Sequence, residues 1–306
     1  MLFPLDPGAV INANRILSSA NIEDGRLFYY PTGRNLHPSS LTVTGWPPFA
    51  KAVSLSYENL LPNAGVLHGF RYFQEIDALN RQPYNDFLNF VNLVPPDKRI
   101  KLLRALNIGY VVAFQPLNIP GPRLSRRFPE HFSWLYEVDR PVAHAYVASE
   151  VLYESQSAKT IRMLTSSEFD PLRQVILAES RPRQTIPTTG GEAKIIRYEN
   201  NNVLINASLQ TPGVLVLTDS YYPGWNAFVD GKETKILRAN HFFRAVVLPK
   251  GAHRVEFRYE PWSFKLGSII SIFTLTGIIG ISLCMFLRRR RLAATNSVRS
   301  VQILQD

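Results

Sequence analysis

The strongest constraint on this chain is a run of 22 residues without a single charge, Leu266 to Leu287, reading LGSIISIFTLTGIIGISLCMFL. As an α-helix it would span roughly 33 Å, enough for the ~30 Å hydrocarbon core of a bilayer. Arg288, Arg289, Arg290 and Arg291 follow at once, while Trp262 and Lys265 stand on the other side. An arginine block opposite an aromatic flank orients such a helix with its basic end in the cytoplasm. The expectation is a transmembrane helix over 266–287, a basic cytoplasmic tail over 288–306, and residues 1–265 outside. A buried core helix with a basic tail competes with this reading, but uncharged runs of this length are rare in soluble cores. A tail-anchored cytoplasmic protein would leave all four arginines on the outer side.

The remaining charge is diffuse. The formal net charge is +10, and the tail, with five arginines and one aspartate, holds +4 of it. The other +6 is spread over many loops, without the clustered basic and stacking aromatic residues that nucleic-acid binding requires. The arginine run is explained by topology and by contact with anionic lipid, so no nucleic-acid partner is expected. The single cysteine, Cys284, excludes an internal disulfide and lies inside the apolar run. His37, His68, His131, His144, His241 and His253 are scattered without metal-ligand spacing, and neither a metal nor a cofactor is expected. The N-terminus, MLFPLDPGAVINANR, lacks the basic and apolar regions of a signal peptide. Earlier helices of a longer polytopic chain are therefore expected to carry the domain across the membrane.

Periodicity and turn residues divide the chain into a mixed α+β region over 1–184 and an antiparallel β-sandwich over 185–262. In the first region a short helix is expected over Ala9–Leu17, a strand over Arg26–Tyr30, a loop over 35–48 and a short helix over Asp86–Asn92. Pro95-Pro96 should open a helix over Asp97–Leu106, with Ile100, Leu103 and Leu106 on one face. A strand over Tyr110–Phe114 follows. The proline-rich stretch 116–130 reads as loop. Strands are expected over Trp134–Val138, Ala145–Val151 and Val175–Leu177, with a helix over Ser157–Leu164. Beyond a linker at 185–191, seven short strands are expected: Ala193–Tyr198, Val203–Leu209, Gly213–Thr218, Trp225–Val229, Thr234–Leu237, Phe243–Leu248 and His253–Tyr259. Asp230-Gly231 is the preferred pair for a tight hairpin, and Pro249-Lys250-Gly251 reads as a second one.

Within this sandwich, Ser220 to Gly267 carries a set of spaced features. They are the YYPGW turn at Tyr221–Trp225, the Asp230-Gly231 hairpin, Arg238-Ala239-Asn240, the strand pair from Phe243 to His253, and the closing Phe257–Pro261 before the helix. This segment resembles the C-terminal module of the bacterial YfhO-like membrane proteins. LPNAGVLHGF, residues 61–70, resembles an upstream stretch of the same family more weakly. The resemblance implies the C-terminal part of a polytopic protein of the bacterial cytoplasmic membrane, similar to the GT-C glycosyltransferases. Those enzymes transfer sugars from polyprenyl-phosphate carriers in cell-envelope biogenesis. It implies as partners membrane lipid, the upstream membrane helices, and a polyprenyl-phosphate sugar or envelope polymer. The family's catalytic carboxylate sits in an early external loop that this chain lacks, so no catalytic residue is carried over.

The residues themselves show no nucleophile-elbow, zinc-protease or phosphate-loop motif. The carboxylate pairs Glu23-Asp24 and Glu75 with Asp77 have the look of loop charges. Candidate glycan-contact or structural residues are Tyr221, Tyr222, Gly224, Trp225, Asp230, Gly231 and Arg244. Aromatics on a loop can stack on sugar faces, but Pro223 and Gly224 also fix a turn that lets Trp225 plug the sandwich. Arg244 and Arg258 are expected to pair with Glu256 or Asp230, or to face water. A non-catalytic, membrane-anchored glycan-binding or scaffolding module is the alternative function.

Overall fold

The computed structural model describes residues 25–30, 71, 73, 90–91, 94–113, 116–118, 121–128, 133–180 and 190–302. The expected helix over 9–17, the loop over 35–48, both carboxylate pairs and most of the 86–92 helix lie outside these residues. Among the described residues the fold is α+β, with three sheets and one apolar C-terminal helix.

The first sheet has the order β1-β2-β4-β3, from β1 (Arg26–Tyr29), β2 (Ile108–Ala113), β3 (Pro122–Phe128) and β4 (Ser133–Val138). Strand β1 runs parallel to β2, and the other pairs are antiparallel. Helix α1 (Pro96–Ala105) feeds β2. It opens with Pro96 at a position where a missing N–H costs nothing. It closes at Leu106, followed by Asn107 with φ +59°, a left-handed residue that stops the helix. The Asn107 side-chain amide then donates to Val142 O at 2.6 Å. Strand β3 corrects the loop expected over 116–130. Its Pro122 stands at the first position of an edge strand, where no ladder bond needs its missing N–H.

The second sheet has the order β5-β10-β14-β13-β7-β6. Its members are β5 (Ala145–Ala148), β6 (Glu150–Tyr153), β7 (Gln174–Leu177), β10 (Gly213–Ser220), β13 (Leu237–Ala239) and β14 (Phe243–Leu248). The single strand expected over 145–151 is thus two, which pair with opposite ends of the sheet and are joined by Ser149 alone. Helix α2 (Ser157–Leu164) lies in the crossover between the parallel strands β6 and β7. The sheet takes strands from both sides of residue 185.

The third sheet is fully antiparallel, order β12-β11-β15-β9-β8. It comprises β8 (Gly191–Tyr198), β9 (Asn202–Leu209), β11 (Trp225–Val229), β12 (Lys232–Thr234) and β15 (Gly251–Tyr259). Asp230 (φ +51°) and Gly231 (φ +79°) form the tight turn between β11 and β12. Two expectations are corrected. The strand placed over 234–237 separates into β12 and β13, which belong to different sheets. The segment at 249–251 is no hairpin. Strand β14 pairs with β10 and β13, whereas β15 pairs with β11 and β9, so the chain crosses there from one sheet to the other. The reason is packing: the two apolar stripes Val246-Leu248 and Val255-Phe257 face each other across the sandwich instead of lying side by side.

Strand β10 explains the layering. Leu215 and Leu217 join the sandwich core with Ile205, Val255 and Phe257. Val214 and Val216 point the other way, into a second core with Leu103, Val111, Val175 and Phe243. A strand buried on both faces reads as a continuous apolar run, and GVLVL does. From β15 the chain passes through Glu260 and Pro261 into α3 (Trp262–Gln302), whose first 25 residues are apolar enough to cross a membrane and are wholly unburied. The arginines at 288–291 continue this helix.

Candidate functional site

The alternation that builds the sandwich core also delivers charge to one end of it. In β10 the inward positions run Leu215, Leu217, Asp219; in β14 they run Leu248, Val246, Arg244. Each apolar stripe therefore terminates in a charged residue of opposite sign at the same end. The Arg244 guanidinium donates from Nη2 to Asp219 Oδ2 at 2.9 Å, and only 2% of the residue is exposed.

Asp219 gathers more than this pair. Arg26, from β1 of the first sheet, donates to Oδ1 at 2.7 Å. His144, just before β5, bonds to the same oxygen through Nε2 at 2.8 Å. Tyr198, at the end of β8, directs its hydroxyl to both carboxylate oxygens at 3.3 and 3.2 Å. His144 Nδ1 in turn meets the Arg71 guanidinium. A guanidinium only donates, so Nδ1 is the acceptor and the proton sits on Nε2. One carboxylate thus ties together all three sheets.

The electrostatics follow from this arrangement. Burial alone would raise the Asp219 carboxyl, but the His144 hydrogen bond and the Arg26 and Arg244 charges outweigh it and hold it far below its ordinary value. Burial pulls His144 below its usual 6.5, against its bond to Asp219. The Tyr198 phenol is pushed up to about 12 by burial and by the Asp219 charge, although the residue is about half exposed. Both carboxylate oxygens are engaged and the side chain is nearly enclosed, so Asp219 is a structural anion and not a free base or nucleophile.

The sequence-derived candidates fall at both ends of the sandwich. Trp225 lies under Arg244, whose guanidinium carbon is 3.8 Å from the ring centroid, and its ring packs against Tyr259 at 5.3 Å. Arg244 therefore differs from expectation: it pairs with Asp219 and stacks on Trp225, while Glu256 takes Arg258 at 2.6 Å. Gly224 has φ +101°, and a Cβ there would stand 2.9 Å from the Tyr259 ring and 3.2 Å from Pro261 Cα. Its carbonyl accepts the Glu260 N–H at 2.7 Å, which fastens the YYPGW turn to the start of α3. Tyr221 and Tyr222 are exposed in this turn, as is Pro223. Asp230 is at the far end. It caps the β11–β12 turn by accepting from the Arg254 N–H at 2.8 Å and pairing with His253 Nδ1 at 2.7 Å. The His253 bond and then the Arg254 N–H hold its carboxyl below the ordinary value. Near Asp230 an open cleft of about 1000 Å³ is lined by Val147, Gly191, Asn206, Ser208, His253 and Arg254, among others. Among the described residues no group of three or more His, Cys, Asp or Glu is arranged to hold a metal.

Sequence reading missed Asp219, His144 and Arg26 as a set. Their separations from Asp219, 75 residues for His144 and 193 for Arg26, leave no local pattern. The one legible signal was the pair of apolar stripes ending in Asp219 and Arg244.

The sandwich runs directly into an apolar helix long enough to cross a membrane. A family profile described as bacterial membrane protein YfhO matches residues 187–271, which hold β8 to β12, β13 to β15 and the first turns of α3. An uncharacterized protein YfhO of Bacillus subtilis (strain 168) is 29% identical over 84 residues, covering 28% of this chain and 10% of that protein. No solved structure matches the chain. Over residues 187–271 the chain is similar to the bacterial membrane protein YfhO family, and it spans about a tenth of the length of the relative it matches.

Proposed function

We propose that this chain is the extracytoplasmic C-terminal part of a polytopic YfhO-like protein, accessory to polyprenyl-phosphate-dependent glycosyl transfer in cell-envelope biogenesis. The observation that carries this reading is the family match, which runs without a break through the sandwich into the apolar helix. In this reading the GT-C-like catalytic core, with its acidic external loop, belongs to upstream membrane helices. The sandwich stands over their outer face, and residues 1–265 lie outside with the arginine-flanked tail in the cytoplasm. The chain alone is then not an active enzyme.

The alternative, a non-catalytic envelope-glycan-binding or scaffolding module, draws on the open cleft beside Asp230 and His253. Two measurements test the proposal. Reading the gene in frame upstream of Met1 should reveal many apolar helices and an acidic residue in the first external loop. A stop codon there removes the enzyme reading and leaves the anchored module. For topology, a lone cysteine at Lys232 in a Cys284→Ser background should react in intact cells with a membrane-impermeant maleimide. Labelling only after lysis overturns the outside placement.

A further inference from the structure

Four aromatic side chains are exposed where the sandwich meets the helix: Tyr221 at 42%, Tyr222 at 38%, Trp262 at 72% and Phe264 at 73%. Two of them belong to the folded sandwich and two to the first turn of α3. They are held together by more than sequence proximity. The Glu260 N–H to Gly224 O bond, at 2.7 Å, ties the turn to the chain just before Pro261, and the Tyr222 ring lies 6.1 Å from that of Tyr259. The turn backbone also lies close to the start of α3: a Cβ at Gly224 would stand 3.2 Å from Pro261 Cα.

We infer that this rim is a lipid-facing surface, with the Tyr221-Tyr222 turn seated in the headgroup layer beside the point where α3 enters the bilayer. Tyrosine and tryptophan favour that layer because their rings are apolar while their hydroxyl and N–H groups still reach water. The occupant follows from continuity: Trp262 and Phe264 open the apolar span, and the tyrosines stand beside them on a turn fastened to the same junction. Charge does not drive the seating. Lys265 pairs with Glu260 at 2.7 Å and Arg258 with Glu256 at 2.6 Å, so the nearby basic groups are already neutralised. Docking should thus depend little on anionic lipid. The surface would restrain the sandwich against the membrane whether or not the protein takes part in glycosyl transfer, and the inference requires only that α3 spans.

The lone cysteine makes the test clean. In a Cys284→Ser chain reconstituted in phosphatidylcholine vesicles, spin labels are placed separately at Tyr221→Cys, Tyr222→Cys and Lys232→Cys. Collision with oxygen and with a water-soluble nickel chelate is then measured. Nickel access at 221 or 222 should be roughly threefold or more below that at 232, with oxygen access retained, as expected for a headgroup-level site. The same ratio should persist when phosphatidylglycerol is added. Two results overturn the inference. Nickel access equal to that at 232 means the turn stands in water, and shielding from both reagents means it is covered by protein. Because 221 and 222 are read separately, disruption of the Tyr259 contact at 222 leaves the 221 label to decide.

Discussion

The two ends of the sandwich are built from the same strands and handle charge in opposite ways. At the end nearest α3, Asp219 is enclosed among Arg26, His144, Arg244 and Tyr198, which reach it from distant parts of the chain. At the far end Asp230 stands in solvent, bound to the N–H of Arg254 and to His253 on the neighbouring strand β15. The first arrangement holds sheets together; the second shapes a turn that its own backbone angles already favour. A buried ion cluster therefore marks where the sandwich and the upstream α+β region are locked together, and the pair at Asp230 marks where they are not.

The contrast predicts unequal losses. Asp219→Ala leaves two buried guanidiniums facing each other without an anion and should cost about 3–5 kcal/mol, read as a shift in the denaturant midpoint of the detergent-solubilised chain. A loss no larger than that of Asp230→Ala would dissolve the comparison.

Acid acts on the same end. His144 is held below its ordinary 6.5 and Asp219 below its ordinary 3.8 in the folded chain. For both, the unfolded chain binds more protons across the intervening window, so stability is full above the unfolded value and falls as pH drops. The decline should begin below about pH 6.5, through His144, and steepen below about pH 4, through Asp219. Equilibrium unfolding at a series of pH values checks this. In Asp219→Ala the steeper second phase should shrink, and an unchanged profile would assign acid sensitivity elsewhere.

Gly224→Ala sharpens the comparison at the junction. The added methyl meets Tyr259 and Pro261 at a left-handed backbone position, so a loss of about 1–3 kcal/mol is expected. Amide exchange of Glu260, which donates to Gly224 O, should speed up with it. The smallest effect belongs to Asp230→Ala. That carboxylate is solvated, and the turn keeps Gly231, so its midpoint should move least of the three.

What could be read in the sequence divides along the same physical line. Strands β9, β11 and β14 were visible within a residue or so because alternation and turn residues are local signals, and the long apolar run announced α3. The apolar C-terminal helix and the α+β class needed nothing beyond such signals. Strand β3 was hidden because four prolines between 116 and 130 suggested loop, whereas an edge strand tolerates Pro122 at its start. The sheet-to-sheet crossing at 249–251 was mistaken for a hairpin because Pro-Lys-Gly fits either connection. Only the partners of Val246 and Phe257 distinguish them. Of the candidate site, the YYPGW turn and Asp230-Gly231 were legible. The Asp219 cluster was not, since its members meet only after three sheets have formed. Arg244 was singled out, but with the wrong partners, because register and not spacing decides that it faces inward beside Asp219.

The most direct measurement is a double-mutant cycle between Arg26 and Asp219, the contact that ties β1 of the first sheet to β10 of the sandwich. Unfolding free energies of the parent chain, Arg26→Ala, Asp219→Ala and the double variant give the coupling. The expected result is a double variant less damaged than the sum of the single ones, with a coupling of about 1–3 kcal/mol. Additivity to within about 0.5 kcal/mol would contradict the central claim, because Arg26 and Asp219 would then act independently.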